Sequence, residues 1–258
     1  MKTILLTGAS GGIGQEIAKA LATDGHRLLL VARNEDKLKA LASSLPGEHL
    51  TLGLDLAAST AGSELAERVK ELGVTLDVVI NNAGTNQLKT FEQSSWQQIE
   101  QQIRLNLLAP MAVAHGLLPS LNSGAHLINI GSVLGEIGYP GYVAYGAAKG
   151  GLKRFSEALG RELQDQNIAV SYLAPRATNT PLNSPNAVAL NKALGNKVDS
   201  PQVVAKAVQL LIQKPKASMV LGFPESLFTR VNALIPSAVD GAVKKQLATI
   251  KAHAKESS

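Results

Sequence analysis

Tyr145 and Lys149 form a pair that could carry out acid–base chemistry. They are four positions apart in a segment predicted to be helical, so they share one face about one turn apart. A lysine ammonium near a tyrosine favours the phenolate and lowers the phenol pKa from about 10. A phenol adjusted in this way acts as a general acid or base near neutral pH. The spacing is common by chance, so its meaning depends on the surrounding residues.

Two further polar residues are candidates for the same site. Ser132 directly follows an apolar segment and Gly131, and from that strand end its hydroxyl would reach a substrate carbonyl. Asn106 lies among leucines in a predicted long helix, where a buried amide requires hydrogen-bond partners. For Asn106 the alternative is a helix cap or an amide satisfied within the core.

A glycine-rich segment at positions 7–14 follows the first predicted strand and opens the first helix. Glycines there allow a dinucleotide pyrophosphate to approach the backbone N–H groups of the helix start. The spacing fits two glycine patterns, and a tight strand-to-helix turn is the alternative without a ligand. The candidate cofactor-binding residues of this segment are Gly8, Ser10, Gly11, Gly12, Ile13 and Gly14.

Arg33 ends the second predicted strand, where NAD-binding proteins usually carry an acid for the ribose 2′-hydroxyl. No acid occurs there before Glu35, and a planar guanidinium suits a 2′-phosphate. The sequence therefore predicts NADP(H), favoured over NAD(H). The alternative is a solvated arginine at a strand end.

Two loops that follow the next two predicted strands complete this end of the site. Asp55 would accept a hydrogen bond from the adenine amino group, or else it caps a helix. Asn82, Ala83 and Gly84 belong to the second loop. Because ligands of open α/β sheets bind at the carboxyl ends of the strands, both loops are expected to face the crevice.

Strands that alternate with helices position these residues. The strand segments are unbroken apolar runs, which is typical of parallel strands buried on both faces. The sequence predicts an α/β fold, a Rossmann-type doubly wound parallel sheet of about seven strands with helices on both faces. The predicted strands are 3–7, 27–32, 50–54, 76–80, 125–131, 168–174 and 218–221. The first predicted helix has Ile13, Ile17, Ala20 and Leu21 on one face, and the other main helices are 34–44, 59–72, 94–121, 142–165 and 201–213.

Residues 1–258 are predicted to form a single domain with a lid at 176–199 and a C-terminal tail at 223–258. The tail carries one apolar helical face, ended or kinked by Pro236, and then a second apolar set. We expect both segments of the tail to cap the substrate cleft or to line a subunit interface, and a peripheral contact with an anionic membrane is the alternative. The first face is Leu227, Phe228, Val231, Leu234 and Ile235, and the second is Val239, Val243 and Leu247.

Composition excludes several classes of protein. Hydrophobic residues make up 45% of the 258 residues and charged residues 17%, which excludes a disordered chain. There are no cysteines, so disulfides and thiolate metal sites are excluded, and no metal site is predicted. The net charge is +5 without a basic run, so no nucleic-acid partner is expected. No apolar run is long enough for a membrane span, and we expect a cytoplasmic protein.

Together these segments resemble the short-chain dehydrogenase/reductase family, in its compact, NADP-preferring branch. The resemblance covers about residues 3–222 and also resolves the ambiguous glycine spacing in favour of that branch. The segments that carry it are TGASGGIG at 7–14, NNAG at 81–84, Asn106, Ser132 and YGAAK at 145–149.

The resemblance implies a role for each residue of the site. Tyr145 would transfer the proton, and Ser132 would orient the carbonyl. Lys149 would bind the nicotinamide ribose and lower the pKa of Tyr145, and Asn106 would hold a water in the proton relay. Thr180 would contact the carboxamide.

The chain departs from the family pattern after the sixth predicted strand, among other places. Pro175 is followed by Arg176, where many members have glycine, and we expect this cation to reach a cofactor phosphate or an anionic substrate.

The expected function is an oxidoreductase that reduces a fairly apolar ketone or a 3-oxoacyl-type substrate with NADP(H). The apolar residues of the lid, among them Leu182 and Leu190, favour such a substrate. A non-catalytic NADP-binding regulator and a membrane-surface protein are the alternatives. A homodimer or homotetramer is expected, with the helices near 94–121 and 142–165 pairing across a two-fold axis.

Overall fold

Among residues 1–255, which the computed structural model describes, seven parallel strands form one sheet in the order β3-β2-β1-β4-β5-β6-β7. This arrangement confirms the predicted fold class. The strands are β1 (Thr3–Thr7), β2 (Arg27–Ala32), β3 (Leu50–Gly53), β4 (Leu76–Asn81), β5 (Leu121–Ile130), β6 (Ala169–Ala174) and β7 (Ser218–Val220).

Helices cover both faces of the sheet. On one face α1, α2 and α8 pack through residues such as Ile17, Leu38 and Val208, and on the other α3, α5 and α6 pack through Leu65, Val113 and their neighbours. The helices are α1 (Gly12–Thr23), α2 (Glu35–Ser44), α3 (Ala61–Glu71), α4 (Trp96–Ile103), α5 (Ala109–Leu117), α6 (Val143–Glu162), α7 (Pro185–Ala193), α8 (Pro201–Gln213), α9 (Glu225–Leu234) and α10 (Pro236–Ala254).

The strand order reverses beside β1. The chain leaves β1 towards β2 and β3 on one side and returns to β4, β5, β6 and β7 on the other. The connections that follow β1 and β4 therefore run to opposite faces of the sheet, and the crevice in which such sheets bind ligands opens at the carboxyl ends of these strands.

The predicted helix 94–121 is wrong in detail. The structure has α4, a wide π-helical segment at Arg104–Leu108, α5 and a short 3₁₀ turn, and β5 already begins at Leu121. The Asn106 side chain donates to the carbonyl of Gln102 at 2.9 Å. The side-chain amide thus competes with a backbone N–H for a helical carbonyl, and competition of this kind accompanies irregular helical turns.

The segment predicted as a lid contains a packed helix. The side chain of Ser184 caps α7 by accepting from the N–H of Ala187 at 3.2 Å. Leu190 of α7 is 3% exposed and belongs to the same apolar cluster as Ile250 of α10. Residues 176–199 are therefore held by the tail helices.

The tail forms two helices that meet at Pro236, as the sequence predicted. Proline is tolerated at the first position of α10 because its missing N–H would have no helical partner there. Residues 256–258, the end of the predicted tail, lie outside the described residues. No helix found within residues 1–255 has the length and apolar character needed to cross a membrane.

Candidate active site

A cleft of about 1380 Å³ lies at the carboxyl edge of the sheet, and it brings together the site residues expected from the sequence. The glycine-rich turn and the loops after β2, β3 and β4 line one end, and residues of β5, α6 and the tail line the other. The expected residues on its walls are Gly8, Ser10, Gly11, Gly12, Ile13, Gly14, Arg33, Asp55, Asn82, Ala83, Gly84, Asn106, Ser132, Tyr145, Lys149, Pro175, Arg176 and Thr180.

The turn after β1 is built against the loop after β4. The hydroxyl of Thr7 accepts from the N–H groups of Asn82 at 2.9 Å and Ala83 at 3.0 Å. Gly8 has φ +64°, and a Cβ there would lie 2.7 Å from the Cα of Ala83. Only glycine meets both the backbone angle and the close approach.

The start of α1 is suited to a phosphate group. Its N-cap residue is Gly11, which supplies no side-chain capping bond, so the first N–H groups of the helix are available to an anion. Gly14 allows the turn to fold closely, since a Cβ there would lie 2.2 Å from the carbonyl oxygen of Gly8. The turn therefore fits the pyrophosphate of a nicotinamide dinucleotide.

Two cations, Arg33 and Lys37, lie at the end of the cleft that the glycine-rich turn lines. Arg33 and Lys37 are exposed, and neither makes an ion pair within residues 1–255. The sequence reasoning missed Lys37, although its position one helical turn after Arg33 was a usable signal. Asp55 lines the cleft and also accepts from the N–H of Ala57 at 3.1 Å, so it stabilises the turn that follows β3.

Lys149 is almost fully buried at the other end of the cleft. Its Nζ donates to the carbonyl of Ile130 at 2.8 Å and lies 5.9 Å from the centre of the Tyr145 ring. Burial lowers the pKa of this ammonium to about 8.

The expectation that Lys149 lowers the pKa of Tyr145 is wrong for this structure. Burial raises the pKa of the Tyr145 phenol, and a hydrogen bond with the Ser132 side chain opposes the shift. The physical reason is that the ammonium is directed to the carbonyl of Ile130, while the surrounding protein desolvates the phenol. Tyr145 therefore keeps its proton at neutral pH, which suits a proton donor.

Asn106 is fully buried, and the backbone holds its side chain. Its Oδ1 accepts from the N–H of Thr85 at 3.2 Å, and its Nδ2 donates to the carbonyls of Thr85 and Gln102, each at 2.9 Å. Gly84 leaves room for this amide, because a Cβ there would lie 2.7 Å from Oδ1. These contacts fix the loop after β4, and the expected role of Asn106 in a proton relay stays a prediction.

Tyr172 of β6 is a positioning residue that the sequence reasoning missed. Its hydroxyl lies 3.2 Å from three backbone atoms, the N and O of Ser132 and the O of Lys149. Its ring occupies the space beside Gly131, where a Cβ would lie 2.1 Å from the ring. A single buried phenol thus joins the end of β5 to α6. The available signal was a polar aromatic residue in a mainly apolar strand.

Arg176 lines the cleft, but its guanidinium is bound within the protein, which corrects the expectation of a free cation. It forms a bidentate pair with Asp199 at 2.6 and 2.9 Å and contacts Glu225 at 3.0 Å. It also donates to the carbonyl of Phe223 at 3.3 Å. These contacts join the segment after β6 to the starts of α8 and α9. The carboxylates of Asp199 and Glu225 occupy the guanidinium donors that a ligand phosphate would otherwise use.

The wall beyond Ser132 is mostly apolar. Residues after β5 form one side of it, and the two tail helices form the other. The hydroxyl of Tyr139 donates to Oε1 of Gln246 at 2.9 Å and connects the two sides. The main apolar residues of this wall are Leu134, Ile137, Tyr142, Leu190, Phe228, Val239, Ala242 and Val243.

The chain is similar in sequence and in fold to known proteins. The sequence matches the family described as short chain dehydrogenase over residues 2–190. It is 32% identical to carbonyl reductase family member 4 of Danio rerio over 81% of this chain and 90% of that one. It is 30% identical to ketoacyl reductase HetN of Nostoc sp. over 93% and 87%. The fold resembles angucycline C-6 ketoreductase LanV with bound NADP, with TM-score 0.78, 26% identity and coverage of 85% and 93%.

The Tyr172 contacts predict a loss of stability when its hydroxyl is removed. Tyr172→Phe leaves the buried N–H of Ser132 without a partner, so we expect the free energy of unfolding to fall by about 1–3 kcal/mol. The measurement is urea denaturation. Tyr139→Phe is the matched control, since its hydroxyl bonds a partly exposed side chain, and its loss should cost less. Equal stability of Tyr172→Phe and the unmodified protein would contradict the assigned role.

Proposed function

The chain belongs to the short-chain dehydrogenase/reductase family, and within it we propose an NADP(H)-dependent reductase of a fairly apolar ketone or 3-oxoacyl substrate. One observation carries this proposal. Tyr145, Ser132 and Lys149 converge on a cleft whose opposite end is a glycine-rich turn suited to a dinucleotide pyrophosphate. The family is one of oxidoreductases that use a nicotinamide cofactor, so the finer proposal concerns which cofactor and which substrate.

The proposed mechanism assigns one task to each residue around the carbonyl. Ser132 donates a hydrogen bond to the carbonyl oxygen and orients it. Tyr145, whose phenol is protonated at neutral pH, gives its proton to that oxygen as negative charge develops. The buried ammonium of Lys149 then stabilises the phenolate that remains. When bound, the nicotinamide supplies the hydride that adds to the carbonyl carbon.

Residues of the chain also indicate how the cofactor would be held. The N–H groups at the start of α1 would bind the pyrophosphate, and Asn82, Ala83 and Gly84 would contact the adjoining ribose. Pro175 and Thr180 would border the nicotinamide. Arg33 and Lys37 favour a 2′-phosphate, because two cations that have no acidic partner among residues 1–255 would otherwise face a neutral ribose.

The substrate class follows from the apolar wall and from the relatives. The apolar side chains of this wall would cover the hydrocarbon part of a substrate, and the wall offers few polar groups that could bind a charged one. The Nostoc relative is named a ketoacyl reductase and the Danio rerio relative a carbonyl reductase. A regulator without catalytic activity is not favoured, since it would not need a serine, a tyrosine and a buried lysine arranged around a carbonyl site.

Exposed apolar residues on the π-helical segment before α5, on α5 and on α6 support a homodimer or homotetramer. Leu108 is 46% exposed, Met111 38% and Val143 49%, and these residues would be covered by a second copy.

We therefore expect light scattering at micromolar concentration to give a dimer or a tetramer. Leu108→Glu/Met111→Glu should shift the protein to a smaller species, because both side chains would be buried beside their copies. Val203→Glu/Leu210→Glu, which alters similarly exposed residues of α8, is the matched control. A monomeric unmodified protein would contradict this oligomer.

The proposed reaction is tested by following the oxidation of NADPH and NADH with a panel of ketones and 3-oxoacyl thioesters. We expect turnover with NADPH and a fall of about 10²–10⁴-fold in kcat for Tyr145→Phe, with NADPH binding retained. Tyr142→Phe removes a neighbouring cleft hydroxyl and should change kcat far less. Unchanged kcat in Tyr145→Phe would remove this residue from the mechanism.

The cofactor preference is tested by reversing one charge. Arg33→Asp removes a cation from the proposed 2′-phosphate site and adds an acceptor for a free 2′-hydroxyl. We expect the ratio of kcat/KM with NADPH to kcat/KM with NADH to fall by at least about tenfold, the size of one charge-assisted contact. Lys39→Asp makes the same charge change on the outer side of α2 and should leave the ratio unchanged. A ratio that does not move in Arg33→Asp would make Arg33 an ordinary surface residue.

A further inference from the structure

Helix α9 turns its apolar face away from the protein. Leu227 is 50% exposed and Leu234 is 82% exposed, and Ile235, directly after the helix, is 59% exposed. At about 100° per residue, Leu227, Val231 and Leu234 share one side of the helix. These residues form the outward apolar face of α9.

The opposite side of α9 is polar and faces the protein. Thr229 is 6% exposed, and the side chain of Asn232 donates to the carbonyl of Glu136 at 3.0 Å. Glu225 contacts Arg176 at 3.0 Å. A surface helix of a globular protein normally has the reverse arrangement, with its apolar side inward. The polar contacts therefore hold α9 in an orientation that leaves its leucines uncovered.

The second tail helix, α10, does not turn its apolar face away from the protein. Val239 and Ile250 of α10 are buried within the protein. The cleft does not account for the outward face either, because Phe228 lines the cleft whereas Leu227 and Leu234 do not. Phe223, 69% exposed just before α9, extends the apolar surface.

The charge of the tail indicates what covers this face. Residues 225–255 contain five basic residues and two acidic ones, and one of the acids, Glu225, is paired with Arg176. An excess of positive charge attracts an anionic surface and opposes the pairing of two copies of this segment. The basic residues are Arg230, Lys244, Lys245, Lys251 and Lys255.

We propose that α9 docks the protein onto the surface of an anionic lipid bilayer. Leu227, Leu234 and Ile235 enter the boundary between headgroups and acyl chains, and the basic residues of the tail attract the lipid phosphates. The helix lies on the membrane, in keeping with the lack of a membrane-crossing helix within residues 1–255. Binding does not depend on the proposed reaction, so it can be tested without a substrate.

The first test is co-sedimentation of the full-length protein with vesicles. One set contains equimolar phosphatidylglycerol and phosphatidylcholine, and the other contains phosphatidylcholine alone. We expect partition to the anionic vesicles to be at least about tenfold stronger at low salt and to weaken as salt is added. Failure to bind anionic vesicles at low salt would overturn the proposal, as would equal binding to both kinds of vesicle.

The second test separates the leucines from a general change of charge. Leu227→Glu/Leu234→Glu should lower partition to the anionic vesicles by at least about tenfold, since two large apolar side chains no longer enter the lipid. Leu72→Glu/Leu210→Glu is the matched control, because these leucines are 41% and 50% exposed on other elements and the added charge is the same. Both proteins should keep the melting temperature of the unmodified chain.

Two outcomes of this second test count against the membrane. An equal loss of binding in the two double variants would make the effect purely electrostatic. The second contradicting outcome would come from light scattering of the same variants. If Leu227→Glu/Leu234→Glu converts an oligomer to a smaller species, the outward face is an interface between copies of this chain, and the proposal is wrong.

Discussion

The hydroxyl of Tyr172 connects the two segments on which the chemistry depends. It lies 3.2 Å from backbone atoms of Ser132 after β5 and of Lys149 in α6. The Nζ of Lys149 makes a second connection by donating to the carbonyl of Ile130 at 2.8 Å. Tyr145 lies one turn before Lys149, so packing rather than substrate holds its phenol beside Ser132. This preorganisation is what a proton donor requires.

Much of the fold and of the cofactor end could be predicted from the sequence, because local rules govern both. Unbroken apolar runs indicated buried parallel strands, and β1 and β2 have the predicted bounds. The glycine-rich turn was recognisable because the backbone angle of Gly8 and the approach of the turn to Ala83 exclude other residues. Lys37 was missed, because its spacing from Arg33 is visible in the sequence but the angle at which α2 leaves the strand, which turns Lys37 towards the cleft, is not.

Properties that depend on distant partners could not be predicted. The raised pKa of Tyr145 follows from its burial, which the spacing of Tyr145 and Lys149 does not reveal. Arg176 was expected to reach a ligand, but Asp199 and Glu225, remote in sequence, bind its guanidinium. The same ion pair helps to set the orientation of α9, so the helical period of the tail could indicate an apolar face but not the direction in which it points.

The central claim is that this cleft transfers hydride from a reduced nicotinamide to a carbonyl carbon. The most direct measurement uses NADPH deuterated at the transferable position of the nicotinamide, with a 3-oxoacyl N-acetylcysteamine thioester as substrate and mass spectrometry of the product. The account predicts a 3-hydroxyacyl thioester that carries deuterium at its carbinol carbon. A product without deuterium at that carbon, or no reduction of any carbonyl with NADPH or NADH, would contradict it.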